Sequence, residues 1–284
     1  MISVVIPVRN QATRVARQLD ALEAQTYAGV WEVIVVDNGS TDETAARALA
    51  YSSRLPGLRV VDASTRRGVN HARNVGASVA RGDFLLFCDA DDVVTPTWVE
   101  RMAEAAETCD AVGGGLEKVV PATRGTAPVV VRIDSLWRWP GFLPFPSGAN
   151  CGVRTALLRE LEGFDERYVG GGDDVHFYWR LQLHGHHVCS VPDAVVRYEE
   201  RRTLREVAVQ SLRYGIGDPR LFADFRGLGM PRRSLLTAVR EWLHLLVLAP
   251  WYWIDRGRRR HWVKRVARKI GRVSGSIRLR VLYL

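Results

Sequence analysis

Short runs of β-branched and aliphatic residues alternate with helical stretches through the N-terminal part of this 284-residue chain. Ile2–Pro7, Trp31–Asp37, Leu58–Asp62 and Phe84–Asp89 have the composition of strands. Thr13–Ala24, Thr41–Ser52 and Val69–Ala80 have helical spacing between them. Such alternation leaves few folds open, because each crossover helix returns the chain to a parallel strand. The continuous apolar run Val33-Ile34-Val35-Val36 fits a strand covered on both faces. The expected class is α/β, with a mixed, mainly parallel sheet flanked by helices.

Ligands of open parallel sheets gather at the C-terminal strand ends. Arg9-Asn10, Asp37 and Asp89 all fall there. The cluster Asp89-Ala90-Asp91-Asp92 ends a strand that is otherwise apolar, and carboxylates so placed are costly without a positive partner. Asp89 and Asp91 are two apart, so in an extended segment they point the same way. Oxygen-only ligands favour Mg²⁺ or Mn²⁺ over zinc. A cation held there neutralises charge on a departing nucleoside diphosphate. Helix capping ahead of Pro96 is the other reading of this cluster.

Asp37 has the position to accept from a base imide or a ribose hydroxyl, or simply to close its turn. Ser40-Thr41-Asp42-Glu43 has the form of a capping box, which would start a helix at once. Arg67 or Arg73, within Arg66–Asn74, offers a cation for phosphate or base, or a surface charge. Asp173 and Asp174 follow three glycines and open a helix. Neighbouring helical residues diverge by about 100°, so one of the pair faces a pocket. The helix dipole favours its ionised form, which suits a resting base. Asp173 has N-capping as its simpler role.

The middle of the chain is less regular. Val119–Pro146 reads as loop or mobile segment. Gly148–Arg154 and Val188–Val191 read as strands, and Thr155–Leu161, Asp173–His184 and Thr203–Tyr214 as helices. Trp137 and Trp139 fit either a ligand pocket or the core. His184, His186 and His187 sit at a helix end, where imidazoles suit the dipole, and are not read as metal ligands.

The four cysteines, Cys88, Cys109, Cys151 and Cys189, are far apart with no CxxC spacing, and read as free thiols in a reducing compartment. The N-terminus shows no signal-peptide pattern. The net charge of +9 is uneven: from Asp255 onward eleven Lys and Arg face one acid. A tail from about Pro231 therefore carries the basic character. Trp242–Trp253 is apolar but too short to span a bilayer, and Trp242, Trp251, Tyr252 and Trp253 are rings suited to a headgroup boundary. Trp262, Val263, Val266, Ile270 and Val273 recur at helical spacing, with Lys264, Arg265, Arg268, Lys269 and Arg272 on the other faces. This predicts a basic amphipathic helix lying on an anionic membrane. The alternative is a helix packed on the protein with a solvated basic face. Nucleic acid is not an expected partner.

In order along the chain, Val4-Val5-Ile6-Pro7-Val8-Arg9-Asn10, Val35–Asp42, Gly68 with Ala72-Arg73-Asn74, Phe87–Asp92, Gly148-Ala149-Asn150, Gly163-Phe164-Asp165-Glu166 and Gly172-Asp173-Asp174 form a specific set. Together they resemble family 2 glycosyltransferases with the GT-A fold, a Rossmann-like architecture. The resemblance implies a catalytic domain at 1–230, with a nucleotide-sugar half at 1–115 and an acceptor half at 116–230. The tail at 231–284 is then an appendage.

The implied reaction is inverting transfer of a sugar from a nucleoside diphosphate sugar, by default a UDP-sugar, to an acceptor hydroxyl. Asp37 would contact the base, Asp89 and Asp91 the ribose, metal and diphosphate, and Asp174 would deprotonate the acceptor. Pro7, Val8, Arg9, Asn10, Arg67, Gly68, Arg73 and Ala90 complete the implied donor site. Gln210-Ser211-Leu212-Arg213-Tyr214 resembles the QxxRW motif of processive members, which gives Arg213 a diphosphate role and Tyr214 an acceptor role. Asn150, Asp173, Trp137 and Trp139 join them as acceptor or diphosphate candidates.

Two departures stand out. Asp173 replaces a common Glu, and Val195-Val196-Arg197-Tyr198-Glu199 lacks the His that often holds the metal. Either fewer protein ligands hold the cation, or Arg197 partly replaces it. A lipid-linked or cell-envelope acceptor and a cytoplasmic, peripheral position on the inner membrane face are expected. A soluble small-molecule or peptide acceptor and a non-catalytic sugar-nucleotide-binding relative are the alternatives. A nucleotidyltransferase is disfavoured, because Pro7-Val8-Arg9-Asn10 is not a Gly-rich basic loop.

Overall fold

The computed structural model describes residues 1–120, 129–201, 203–254 and 256–284. The N-terminal half is β1 (Ile2–Val8), α1 (Ala12–Glu23), β2 (Trp31–Asp37), α2 (Thr44–Leu49), β3 (Arg59–Asp62), α3 (Val69–Val79) and β4 (Phe84–Cys88). β1 lies between β2 and β4, parallel to both, and β3 extends the sheet parallel to β2. Val8 is opposite Asp37, which aligns the first two strand ends.

The strands place alternate residues on opposite faces. Val4, Ile6, Val33, Val35 and Leu86 join Val15, Leu19 and Leu22 of α1 in one core layer. Val5, Ile34, Val36, Leu85 and Phe87 join Ala72 and Ala77 of α3 in another. Both faces are covered, as the unbroken apolar runs require.

The second half adds β5 (Val93–Val94), α4 (Trp98–Ala106), β6 (Ala111–Val120), β7 (Val129–Ile133), β8 (Trp137–Arg138), β9 (Pro144–Phe145), β10 (Asn150–Arg154), α5 (Thr155–Glu160), α6 (Asp173–Leu183) and β11 (Val188–Glu199). β10 runs antiparallel between β4 and β6, β11 is parallel to β6, and β5 and β7 add antiparallel edges. The sheet order is β3-β2-β1-β4-β10-β6-β11-β5, with β7 on β6.

Several expectations change. Ser40–Glu43 forms no capping box, and α2 starts at Thr44. Ser40 Oγ donates instead to Asp37, and Asp42 accepts from Thr44 N at 3.1 Å and Ala12 N at 3.3 Å. The acid thus ties two helix starts together. Within Val119–Pro146, expected as loop, residues 129–133 form β7 and two short strands pair, while 121–128 lie outside the described residues.

The cysteine reading is also corrected: Cys109, just past α4, is disulfide-bonded to Cys189 on β11. Their separation of 80 residues gave no spacing signal. Cys88 and Cys151 are free and buried. Cysteine spacing therefore no longer argues for a reducing compartment.

The chain ends in α7 (Leu204–Phe225), α8 (Leu235–Val247), α9 (Ala249–Tyr252) and α10 (Arg256–Leu279). α10 packs closely along α7. Glycines permit the approach: a Cβ on Gly215 would collide with the Arg268 carbonyl, and one on Gly271 with the Leu212 carbonyl. Arg268 and Arg272 clasp the buried Asp218 at 2.9 and 2.6 Å. Arg260 and Lys264 hold Glu200 at 2.9 and 2.8 Å, and Lys269 pairs with Glu241. Tyr283 stacks on Phe222 at 4.8 Å within a third core cluster. The tail is therefore packed on the rest of the chain, and four of the cations placed on its solvated faces (Lys264, Arg268, Lys269 and Arg272) are neutralised by acids of the protein. Among the described residues no helix is long and apolar enough to cross a membrane.

Candidate active site

Arg73 organises the site. It lies on α3, buried, with Phe164 under its guanidinium at 5.4 Å. Nη1 donates to Asp173 at 2.7 Å, Nη2 donates to the Gly148 carbonyl at 3.0 Å, and Nη2 lies 3.8 Å from Asp89 Oδ1. One cation thus joins the end of β4 to the start of α6. The guanidinium stays charged: burial opposes this, but Asp173 and Asp89 outweigh it.

Asp174 is held by its neighbours' backbone. Oδ2 accepts from Gly148 N at 2.8 Å and Oδ1 from Val175 N at 2.8 Å. Burial, reinforced by Asp173, pushes its carboxyl up to about 6, against these hydrogen bonds and Arg73. The preceding glycines are needed for this placement. Gly170 and Gly172 adopt φ of +83° and +82°, and a Cβ on Gly171 would lie 2.9 Å from the Tyr214 backbone. Asp173 does not cap the helix; it is the Arg73 partner.

At the acidic strand end, burial also pushes Asp89 up to about 6, with Asp91 and Asp173 adding to it and Arg73 opposing. Asp91 meets two arginines, Arg201 Nη1 at 2.9 Å and Arg14 Nη1 at 3.3 Å. Asp92 is buried, and its Oδ2 has no hydrogen-bond partner. It does not cap α4, whose N-cap is Thr97. Asp89, Asp91, Asp92, Asp173 and Asp174 thus outnumber the cations Arg14, Arg73 and Arg201 by two. The orphan oxygen and the unbalanced charge fit a divalent metal with oxygen ligands.

Asp37 lies two strands over, at the end of β2. Its Oδ1 accepts from Ser40 N at 2.9 Å and Ser40 Oγ at 2.5 Å, which closes the turn. Asn10 locks the neighbouring loop by accepting from Thr41 N at 2.8 Å. Asn38 bonds the carbonyls of Ala63 and Arg66 at 2.7 Å and accepts from Gly68 N at 2.8 Å. This fixes the Arg67-Gly68 turn near Asp37, with Arg67 exposed. Pro7, Val8, Arg9 and Ala90 occupy the same strand ends.

Asn150, Trp139 and Trp137 fall outside the cluster. The Asn150 amide is fully engaged, accepting from Trp98 Nε1 at 2.7 Å and donating to Gly115 O and Ala194 O at 2.7 and 2.8 Å, so it staples the sheet. Trp139 packs edge-on to Trp179 at 5.3 Å as core. Trp137 is exposed, with Lys118 Nζ 4.6 Å from its ring centroid. Arg213 lies against Gly170, while Tyr214 is partly exposed and accepts from Gln210 Nε2 at 3.1 Å. Arg197 does not replace the absent His: it pairs with Glu117 at 3.2 Å on the surface. Arg201, four residues on, reaches Asp91 instead. Arg201 and Arg14 were not legible as site residues; only their positions beyond β11 and β1, at the acidic edge, hint at them.

A second carboxylate–imidazole group, Asp165, His176 and Asp224, is separate from this cluster. Arg167 pairs with Asp165 at 2.6 Å, and Tyr168 OH donates to Asp224 at 2.8 Å. His184 bonds the Arg180 carbonyl at 2.8 Å, in keeping with its helix-end reading.

Residues 3–161 match the family model for glycosyl transferase family 2, and residues 84–263 match that for glycosyl transferase family group 2. The chain belongs to glycosyl transferase family 2. This family 2 glycosyltransferase is 30% identical over 224 residues to glycosyltransferase AglE of Haloferax volcanii, covering 76% of this chain and 72% of AglE. It is 29% identical over 227 residues to the pre-mycofactocin glycosyltransferase of Mycobacterium tuberculosis, covering 75% of this chain and 46% of that relative. The chain thus spans most of AglE and about half of the latter. Its fold matches the mannosyltransferase PcManGT of Pyrobaculum calidifontis, solved with GDP-Man and Mn²⁺, with a TM-score of 0.67 at 20% identity over 96% of this chain and 86% of that one. It also matches Staphylococcus aureus TarS 1–349, solved with UDP-GlcNAc, with a TM-score of 0.58 at 19% identity over 100% and 93%. The architecture is the GT-A fold.

Proposed function

We propose that this glycosyltransferase moves a sugar from a nucleoside diphosphate sugar, by preference a UDP-sugar, to an acceptor hydroxyl with inversion. One observation carries the reading: Asp174, Gly148, Arg73 and Asp89 form a continuous polar chain from a part-buried carboxylate to the acidic strand end. A base raised to about 6 is ionised at neutral pH yet still basic enough to take a proton.

In this account Asp37 takes the base, while Asp89 takes the ribose. Asp174 accepts the acceptor's hydroxyl proton. The acceptor oxygen forms its bond to the anomeric carbon from the face opposite the diphosphate. The bond from that carbon to the diphosphate oxygen breaks, and the nucleoside diphosphate leaves. Arg14 and Arg201 are placed to meet the negative charge of the leaving group. Asp89 and Asp91, with Asp92 behind them, would hold Mg²⁺ or Mn²⁺. When bound, such an ion supplies charge neutralisation for the leaving diphosphate. The reading is supported by the solved relatives bound to GDP-Man and UDP-GlcNAc.

The acceptor is proposed to be a lipid-linked or cell-envelope glycan. The enzyme would sit peripherally on the inner membrane face. Hydrolysis of a panel of UDP-, GDP- and dTDP-sugars, followed by proton NMR of the freed sugar, tests the class. One donor should turn over slowly with water as acceptor. The first sugar released should have the anomeric configuration opposite to the donor's. Retained configuration contradicts direct displacement, and no turnover of any donor favours a binding protein.

A further inference from the structure

Helix α8 turns an apolar face outward. Leu235, Leu236, Val239, Leu243, Leu246 and Val247 are exposed by 49% to 74%. At 3.6 residues per turn these six fall within an arc of about 120°. The opposite side holds Ala238 and Leu245, both buried, and Glu241, which bonds Arg233 and Lys269. The face continues into exposed Trp251, Trp253 and Ile254. An outward apolar surface of this kind marks an interaction site.

Charge identifies the occupant. Arg240 borders the apolar arc and is exposed. Arg258 lies 5.1 Å from the centroid of the Trp251 ring, and Arg259 lies 4.8 Å from that of Trp253. Glu241 is the only carboxylate in α8, α9 or α10, and two cations already hold it. Apolar side chains bordered by tryptophans and arginines match the acyl boundary, the headgroup layer and the anionic charge of a bilayer.

We infer that the α8–α9 face docks this enzyme on an anionic lipid bilayer. α8 lies in the interface plane, with Leu243 and Leu246 toward the acyl chains. The assignment moves the membrane contact from the body of α10, whose Lys264, Arg268, Lys269 and Arg272 are held by Glu200, Asp218 and Glu241, to α8, α9 and the first turn of α10. It deepens the membrane partner of the proposed function and rests on that reading for its purpose.

The test is sedimentation of the full chain with phosphatidylcholine vesicles, with or without 30 mol% phosphatidylglycerol (a probe composition of about that value). The wild type is compared with the double variant Leu243→Glu/Leu246→Glu and with Ile277→Glu, an exposed apolar site on α10. Nucleoside diphosphate release without vesicles is measured in parallel. Binding is expected only with phosphatidylglycerol. The α8 variant should lower the partition coefficient at least about tenfold, and Ile277→Glu should leave it nearly unchanged. Donor turnover should be equal in all three.

A wild type that ignores anionic vesicles, or an α8 variant that binds like it, overturns the docking. So does a wild-type dimer that the α8 variant makes monomeric without any vesicle binding; the face would then hold a second copy of the chain. Vesicle binding without donor turnover in the wild type refutes the transferase reading and leaves the docking intact.

Discussion

Asp174→Asn is expected to lower kcat by about 10²- to 10⁴-fold, while donor affinity stays close to wild type. The amide cannot accept the acceptor's proton, but it leaves Asp37, Asp89 and Asp91 in place. The pH profile gives the second half of this prediction. Burial and Asp173 hold the Asp174 carboxyl up at about 6. Below that pH the group is protonated and cannot act as a base, so activity falls with decreasing pH. Above it the group is ionised and activity reaches a plateau. Asp174→Asn should lose the part of this acid limb that belongs to Asp174 and keep the part set by Asp89, which is also raised to about 6. The sign for stability is opposite: the raised group binds its proton more tightly when folded, so its ionisation costs stability above about pH 6 and the cost is relieved on acidification. Initial rates of nucleoside diphosphate release across pH, for both proteins, check the prediction. An unchanged kcat in the variant would remove Asp174 from the chemistry.

Arg73→Met is expected to cost about 3–5 kcal/mol of folding stability. The substitution keeps much of the side-chain volume but removes the buried cation between Asp173 and Asp89, leaving two part-buried carboxylates without their main counter-charge. The Gly148 carbonyl loses its donor as well. Urea denaturation at neutral pH measures the loss. A drop below about 1 kcal/mol would show that those acids find other partners, because this is the range of an exposed ion pair.

The parts of the fold legible in sequence are those whose local pattern and tertiary role agree. β2 runs over Trp31–Asp37 as its composition requires, and β1, β4, α1 and α3 differ from expectation only at their ends. β3, β10, α5 and α6 also lie within their expected spans, whereas β6, β11 and α7 run on where local propensity opposes them. β6 contains Gly113, Gly114 and Gly115, which weaken a strand signal. They are there because a Cβ on Gly113 would meet Pro146, one on Gly114 the Asn150 amide and one on Gly115 the Pro192 carbonyl. β11 continues past Pro192 through a register shift between Val191 and Val195, where a proline otherwise ends a strand. α7 extends through Gly215, Gly217 and Pro219 because packing against α10 outweighs their propensity.

The site divides in the same way. Asp89, Asp91, Asp173 and Asp174 were readable because each ends or opens an element with a clear pattern. Arg73 was noticed as a cation, but its buried bridging role depends on residues about 100 positions away. The partners of Asp91, Arg14 and Arg201, and of Cys109, Cys189, are likewise set by long-range packing, which spacing does not encode. The cationic tail misled for a related reason. A charge tally over the segment from Asp255 omits the carboxylates of Asp218, Glu200 and Glu241, which the fold brings to its cations.

The central claim is that the acidic end of β4 binds a nucleoside diphosphate sugar. Calorimetric titration of wild type and Asp91→Ala with a donor panel, in Mn²⁺, Mg²⁺ or EDTA, tests it most directly. The account predicts that one donor binds the wild type in the presence of metal, and that EDTA or Asp91→Ala weakens this at least about tenfold. Donor binding that neither EDTA nor Asp91→Ala changes, or no binding of any donor, would contradict it.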